Sequence, residues 1–167
     1  MTRKKAVVIA IIVIILAVVL IKVFKKDVWD INEELMKQEV MSIESSVESV
    51  SLSDVTPFEW DLVYSFDPYT SKDTIYQTIG YKWDSISETV NGGMNQLVFM
   101  KNKKVVCYLY GYPANNGYGI FFNSENKDVS NPTSVLSVED DLIFQVVRGE
   151  NVILLTKNEC QFCNYWA

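Results

Sequence analysis

The 167-residue chain contains no histidine, and this absence excludes several kinds of active site. Without an imidazole ring there is no Ser-His or Cys-His nucleophile pair, no imidazole general base and no histidine-containing zinc site. Enzymes that work through carboxylates, lysine or tyrosine alone remain open, but no arrangement of those residues indicates one. The acidic segments at residues 123–128 and 139–141 also lack the ligand spacing and central glycine of an EF-hand. We therefore expect no enzyme activity and assign no catalytic, cofactor-binding or metal-binding residue.

Cysteine is scarce, since the chain has only Cys107, Cys160 and Cys163. Three cysteines are too few for a disulfide scaffold, so the hydrophobic core must supply most of the stability. Cys160 and Cys163 form a CxxC pair, a spacing that suits a redox site, a metal site or a local disulfide. Four residues follow the pair, which leaves no helix to activate a redox thiol, and three thiols are one ligand short of a zinc site. We predict a local disulfide or inert thiols, with thiol-disulfide redox chemistry as the alternative function.

The longest apolar run lies near the N-terminus. Residues 6–21 are all Ala, Val, Ile or Leu, and only Lys22 interrupts the continuation to Phe24. A helix over residues 6–24 would span roughly 28 Å, close to the hydrocarbon thickness of a bilayer, and Lys22 can extend its ammonium toward the headgroups. The basic start MTRKK is also typical of a secretory signal, but no small-x-small cleavage pair follows the apolar run. The sequence therefore predicts an uncleaved single-pass transmembrane signal anchor with basic flanks in residues 1–26.

Basic and acidic residues are distributed unevenly along the chain. Six of the fifteen Lys and Arg lie in residues 1–26, so residues 27–167 keep nine of them against all 21 acidic residues, a formal charge of −12. Such a field repels phosphate backbones, and we expect no nucleic-acid partner. Lysines flank the apolar run on both sides, but the basic head and the acidic remainder favour a cytoplasmic N-terminus. The prediction is a cell-membrane protein attached through residues 6–24, with an acidic C-terminal domain outside the cytoplasm.

The pattern of apolar residues divides the rest of the chain into two parts. Apolar residues recur at three- and four-residue steps after residue 27, and serines accumulate before residue 56, which predicts a juxtamembrane helix and linker over residues 27–56. Residues 57–167 alternate short apolar runs with turn signals and indicate one domain. The predicted fold is therefore α+β, an N-terminal transmembrane helix followed by a mainly antiparallel β-sheet domain packed with one or two helices.

Turn residues mark the elements of that domain. Strands are predicted at residues 60–66, 96–100, 104–110, 118–122, 142–147 and 152–157. The clearest hairpin joins the second and third of these strands around Asn102 and Lys103. A helix that ends at Gly80 is predicted to begin after Thr70 or Ser71, either of which can cap it.

Tyrosines alternate with apolar residues in the strand at residues 104–110 and just beyond it. One face of this strand is supplied by Val105, Cys107 and Leu109, so the other face presents three tyrosines: Tyr108, Tyr110 and Tyr112. An exposed tyrosine row suits a protein or glycan ligand, because tyrosine offers apolar area and a hydroxyl together. The alternative is that a helix covers this face. We take the three tyrosines as a candidate partner surface.

Two segments carry a resemblance to a known group of proteins. Residues 58–72 have the sequence FEWDLVYSFDPYTSK, and residues 97–103 have the sequence LVFMKNK. The first contains an F-x-W-D-x-V-Y-x-F-x-P-Y-T-type motif and resembles a group of small bacterial proteins of uncharacterised function that are anchored at the cell envelope. The resemblance covers residues 57–111 and implies an extracytoplasmic, non-enzymatic domain. It transfers no functional residue to this chain.

Three hypotheses about function follow from these features. The leading one is a membrane-anchored extracytoplasmic binding or interaction domain, not an enzyme, whose partner is an envelope protein or peptide. The alternative is a thiol-disulfide redox protein that uses Cys160 and Cys163. In the third, the anchor and the helix after residue 27 assemble with another membrane protein.

Overall fold

A computed structural model of the chain describes residues 11–16, 26–123 and 132–157. Residues 11–16 are helical. The helices beyond them are α1 (Val28–Ser42), α2 (Lys72–Ile79) and α3 (Pro113–Asn116), with one 3₁₀ turn at Leu52–Val55.

Eight strands are present in the described ranges, and they form two sheets of four. The strands are β1 (Ser49–Ser51), β2 (Leu62–Phe66), β3 (Asn95–Lys101), β4 (Lys104–Gly111), β5 (Tyr118–Phe122), β6 (Thr133–Ser137), β7 (Ile143–Arg148) and β8 (Ile153–Lys157). Sheet 1 has the order β4-β3-β2-β6 and is antiparallel throughout. Sheet 2 has the order β1-β7-β8-β5, and only its β5–β8 pair is parallel. The described domain is therefore α+β with mostly antiparallel strands.

The prediction of an N-terminal transmembrane helix is corrected. Within the described ranges, no helix is long and apolar enough to cross a membrane. Of the predicted spanning segment, residues 11–16 are described, and they are helical. Residues 6–10 and 17–24 lie outside the described residues. The predictions of a transmembrane signal anchor and of a single-pass membrane protein are corrected accordingly. Attachment through residues 6–24 and a location of the domain outside the cytoplasm stay predictions.

The predicted local elements of the domain are confirmed where their turn chemistry is strong. The β3–β4 hairpin turns at Asn102 and Lys103, which both have positive φ angles of 49° and 61°, as a two-residue hairpin turn requires. Helix α2 begins after Ser71, whose hydroxyl accepts a hydrogen bond from the Thr74 N–H, and ends at Gly80 with a φ of 87°. The predicted strands at residues 142–147 and 152–157 are also present, as β7 and β8, and they pair as an antiparallel hairpin.

The main core lies between the two sheets. Sheet 1 contributes Val63, Leu97 and Phe99, and sheet 2 contributes Ile120 and Phe144, all of them buried. A second, smaller core lies on the other face of sheet 1, where α2 and residues 80–90 cover it. Its buried members are Phe66, Ile75, Ile79, Ile86, Val98, Met100 and Tyr108. Sheet 1 is thus covered on both faces.

One side chain connects the two sheets through hydrogen bonds. The carboxamide of Asn95, at the start of β3, donates from Nδ2 to the Ile120 carbonyl at 2.8 Å and accepts from the Ile120 N–H at 2.8 Å. Ile120 lies in β5, an edge strand of sheet 2, so Asn95 takes the place of a missing neighbouring strand for one residue. Asn95 is only 2% exposed, and water does not compete for these bonds.

Replacing Asn95 by alanine tests this connection. The Asn95→Ala variant leaves the N–H and C=O of Ile120 buried without partners, and an unpaired buried group costs about 1–3 kcal/mol. We expect the free energy of unfolding, measured by urea denaturation, to fall by about 3 kcal/mol. The matched control is Asn115→Ala, at an exposed position of α3, with a change within about 0.5 kcal/mol. Equal losses in the two variants would contradict the role of Asn95.

Candidate partner-binding site

One face of helix α1 is buried against the domain. The residues of this face recur at helical spacing, and they are Trp29, Asn32, Glu33, Met36 and Val40. Met36 and Val40 are fully buried and belong to the main core. This apolar contact fixes α1 alongside β4, an edge strand of sheet 1.

Two hydrogen bonds set the register of α1 on the domain. The Asn32 Nδ2 donates to the Val106 carbonyl of β4 at 2.8 Å, so the helix satisfies a backbone group at the sheet edge. The Tyr118 hydroxyl, from β5, donates to Glu33 Oε1 at 2.7 Å. Burial of the Tyr118 ring, followed by the nearby Glu33 carboxylate, raises the pKa of this phenol well above its usual value. The helix is therefore held to both sheets.

Aromatic rings fix the N-terminal end of α1. The Trp29 ring meets the Trp83 ring edge to face at a centroid distance of 5.3 Å, and Trp83 meets Tyr108 at 5.2 Å. Edge-to-face pairs of this kind add about 0.5–1.5 kcal/mol each beyond the burial of their area. Trp29 thus joins α1 to the second core, over the outer face of sheet 1.

A different face of α1 exposes a stripe of large apolar side chains. Val28 is 62% exposed, Ile31 is 42% exposed and Leu35 is 37% exposed. Their spacing of three and then four residues matches the a and d positions of a heptad, and Gln38 and Ser42 continue the same positions as exposed polar residues. We call Val28, Ile31 and Leu35 the α1 stripe. Because the buried face already holds α1 on the domain, the stripe is available to a partner.

Acidic groups flank the α1 stripe. In heptad terms, Asp27 and Glu34 occupy g positions and Glu39 occupies an e position. Lys26 pairs with Glu34, but both side chains of this pair are half exposed. The helix itself contains four acidic residues and a single lysine, Lys37. The electrostatic potential around the α1 stripe is therefore negative.

The predicted tyrosine surface is covered rather than open at Tyr108. This residue is 7% exposed, and its hydroxyl accepts hydrogen bonds from the Ser87 N–H at 3.1 Å and from Gln96 Nε2 at 3.0 Å. Burial raises the pKa of Tyr108 to about 12. The cover is α2 together with residues 80–90. Tyr108 therefore belongs to the second core.

The other two tyrosines of that row are half buried. The Tyr110 ring stacks on Tyr108 at a centroid distance of 5.8 Å, and its hydroxyl donates to the Glu88 carbonyl at 2.9 Å. Tyr112 precedes α3 and is also half buried. The use of Tyr110 and Tyr112 as a ligand surface stays a prediction.

The cysteines offer no reactive thiol in the described part of the chain. Cys107 is buried in the main core, and burial raises its pKa well above the usual value, so the thiolate is disfavoured. Cys160 and Cys163 lie outside the described residues, and their disulfide and redox chemistry stay predictions. Within residues 11–16, 26–123 and 132–157, no group of three or more Cys, Asp and Glu side chains is placed to hold a metal ion.

A small cavity opens where strands of both sheets end. It has a volume of about 30 Å³ and its lining includes Ser65, Pro68, Asn95 and Lys157. This volume holds one or two water molecules, whereas sites for organic ligands usually exceed about 300 Å³. The cavity is therefore too small to bury an organic ligand, and the exposed surface of α1 is the better candidate site.

Comparison with known proteins identifies no relative of this chain. No protein-family model, no curated protein and no solved structure matches the chain. The resemblance of residues 57–111 to envelope-anchored bacterial proteins stays a prediction. The function must therefore be inferred from the described residues themselves.

The raised pKa of Tyr108 predicts a loss of stability in alkali. Tyrosine has a pKa of about 10 in an unfolded chain, so between pH 10 and about 12 the unfolded state releases a proton that folded Tyr108 keeps. The free energy of unfolding should therefore fall as pH rises through this window, by up to about 3 kcal/mol from Tyr108. Urea denaturation at several pH values measures the decline. We expect a shallower decline in Tyr108→Phe and an unchanged one in Tyr69→Phe, which alters an exposed ring. A decline that is the same in all three proteins would contradict the assignment.

Proposed function

We propose that the chain is a protein-interaction domain, not an enzyme, and that α1 binds an amphipathic helix of a partner protein or peptide. The observation that carries this proposal is the α1 stripe, formed by Val28, Ile31 and Leu35, on a helix whose other face is fixed to the domain. The partner helix is basic on both sides of its apolar face. The resemblance of residues 57–111 favours a partner from the bacterial cell envelope.

The spacing of the stripe supports a helical partner. Apolar residues at a, d and a of a heptad form a seam into which a second helix inserts its own side chains. Pairing of a partner strand with β4, the sheet edge next to α1, is less favoured. The Val106 carbonyl of this strand already accepts a hydrogen bond from Asn32, and its Val105 N–H already donates to the Tyr81 hydroxyl. A helix laid along α1 is the arrangement that covers the stripe.

The charges beside the stripe argue against a second copy of this chain as the partner. In a parallel pair of α1 helices, Glu34 at g faces Glu39 at e of the other copy, and in an antiparallel pair Glu34 faces Glu34. Both arrangements bring carboxylates together across the seam. Lysine or arginine at the e and g positions of a different helix would meet the same groups with opposite sign.

The expected interaction is weak and depends on salt. Covering three partly exposed side chains contributes roughly 1 kcal/mol each, which is less than the about 4 kcal/mol or more that association costs. The acidic field adds attraction for a basic helix and raises its rate of association, an effect that ions screen. The domain therefore suits reversible binding.

A designed peptide provides a direct test of the stripe. The probe is a labelled helical peptide of heptads with leucine at a and d and lysine at e and g, and binding is followed by fluorescence anisotropy. We expect the full chain to bind this peptide and Ile31→Glu to bind it at least about ten-fold more weakly, since a buried unpaired charge costs more than 1.4 kcal/mol. Higher salt should weaken binding of the lysine peptide.

Two controls distinguish binding at the α1 stripe from non-specific electrostatic attraction. The first is Val90→Glu, which adds the same charge at an apolar side chain that is 69% exposed in the loop before β3, and it should leave binding unchanged. The second is the same peptide with glutamate at e and g, which should not bind. Binding that survives Ile31→Glu, or that is lost equally in Val90→Glu, would refute the proposed surface. If the full chain self-associates and Ile31→Glu abolishes that self-association, the partner of the α1 stripe is a second copy of this chain and not a basic helix.

A further inference from the structure

The chain has two Asn-Gly pairs, and the fold places them in opposite settings. Asn91 and Gly92 lie in an exposed turn before β3, whereas Asn116 and Gly117 lie at the end of α3. An Asn-Gly pair can close a cyclic imide when the glycine nitrogen reaches the asparagine side chain, because glycine has no side chain to hinder the approach. The hydrogen bonds around each pair decide whether this happens in the folded chain.

At Asn91 the hydrogen bonds favour the reaction. The Gly93 N–H donates to Asn91 Oδ1 at 2.9 Å, and the Met94 N–H donates to the Asn91 carbonyl at 3.1 Å. These two bonds fold the side chain over the backbone of the turn. Oδ1 is the atom on which negative charge develops when a nucleophile adds to Cγ, so the Gly93 N–H acts as a preorganised donor to that charge. Within the described part of the chain, the Gly92 N–H has no hydrogen-bond partner.

At Asn116 the hydrogen bonds oppose the reaction. The Gly117 N–H donates to the Pro113 carbonyl at 2.8 Å and closes the last turn of α3. The Asn116 Nδ2 donates to the Tyr110 carbonyl at 3.2 Å, which holds the amide against β4. Both bonds must break before the imide can form. This pair therefore serves as a protected control within the same molecule.

We infer that Asn91 is a site of spontaneous deamidation in the folded protein and that Asn116 is not. The Gly92 nitrogen loses its proton to solvent base and bonds to Asn91 Cγ, and the Cγ–Nδ2 bond breaks as ammonia leaves with a proton from solvent. Water then opens the imide at either carbonyl and leaves aspartate or isoaspartate at position 91. The product adds one negative charge, and the isoaspartate form also adds a carbon to the backbone just before β3.

The experiment compares the two asparagines during storage of the full chain. The protein is incubated at neutral and mildly alkaline pH, digested and analysed by mass spectrometry, and isoaspartate is detected by isoaspartyl methyltransferase labelling. We expect modification of Asn91 to be about ten-fold faster or more than that of Asn116, because the bonds at Asn116 must first open. The rate should rise with pH, since the attacking nitrogen must lose its proton.

Unfolding and substitution complete the test. In concentrated urea the two rates should converge, because the hydrogen bonds that distinguish the pairs are lost. Gly92→Ala should slow modification of Asn91 in the folded chain, while circular dichroism verifies that the variant is folded. Equal rates at Asn91 and Asn116 in the folded protein, or a faster rate at Asn116, would overturn the inference. A difference that persists unchanged in urea would also overturn it, since the fold would then not be its cause.

Discussion

The paired hydrogen bonds between the Asn95 carboxamide and the Ile120 backbone connect two sheets that share no strand pairing among the described strands. The sheets otherwise meet through apolar side chains, which pack closely but fix no register. A carboxamide that must satisfy both backbone groups of one residue permits a single alignment of β3 and β5. The position of β5 in turn sets Tyr118, and Tyr118 sets Glu33 on α1. The orientation of α1 therefore depends on an interaction in the interior of the domain.

Helix α1 has an inner face that packs on the domain and an outer face that is exposed. Its inner face combines apolar contact with polar bonds to β4 and β5, so its rotation about its own axis is fixed. Its outer stripe has apolar residues at heptad spacing within an acidic setting. A fixed helix loses little conformational freedom when a partner binds, so even a small contact area can give measurable affinity. In the proposed function, the acidic setting would select among helical partners by sign of charge rather than by shape.

Local signals in the sequence predicted six of the eight described strands but not β1 and β6. They also predicted the β3–β4 turn and the end of α2, because Asn102, Lys103 and Gly80 act through their own backbone angles. Long-range features were not predictable in the same way. The cover over Tyr108 comes partly from residues 80–90, which lack regular helix or strand and have no periodic pattern. The apolar residues of α1 include Leu35, Met36 and Val40, yet only the last two of these are buried. The helix carries two apolar stripes, and spacing alone does not tell which one faces the core. The apolar run of residues 6–24 predicted a membrane span from composition, and within the described residues no helix is long and apolar enough to form one.

The contacts of α1 also constrain the order in which the molecule assembles. Asn32 bonds a residue 74 positions later in the chain, and Glu33 bonds one 85 positions later. During synthesis the helix therefore emerges well before β4 and β5, the strands that receive it. A helix of 15 residues is marginal in water when it has nothing to pack against. Closure of α1 onto the sheets is thus a late step that awaits the β3–β4 hairpin, and until then both of its apolar stripes stay accessible to chaperones.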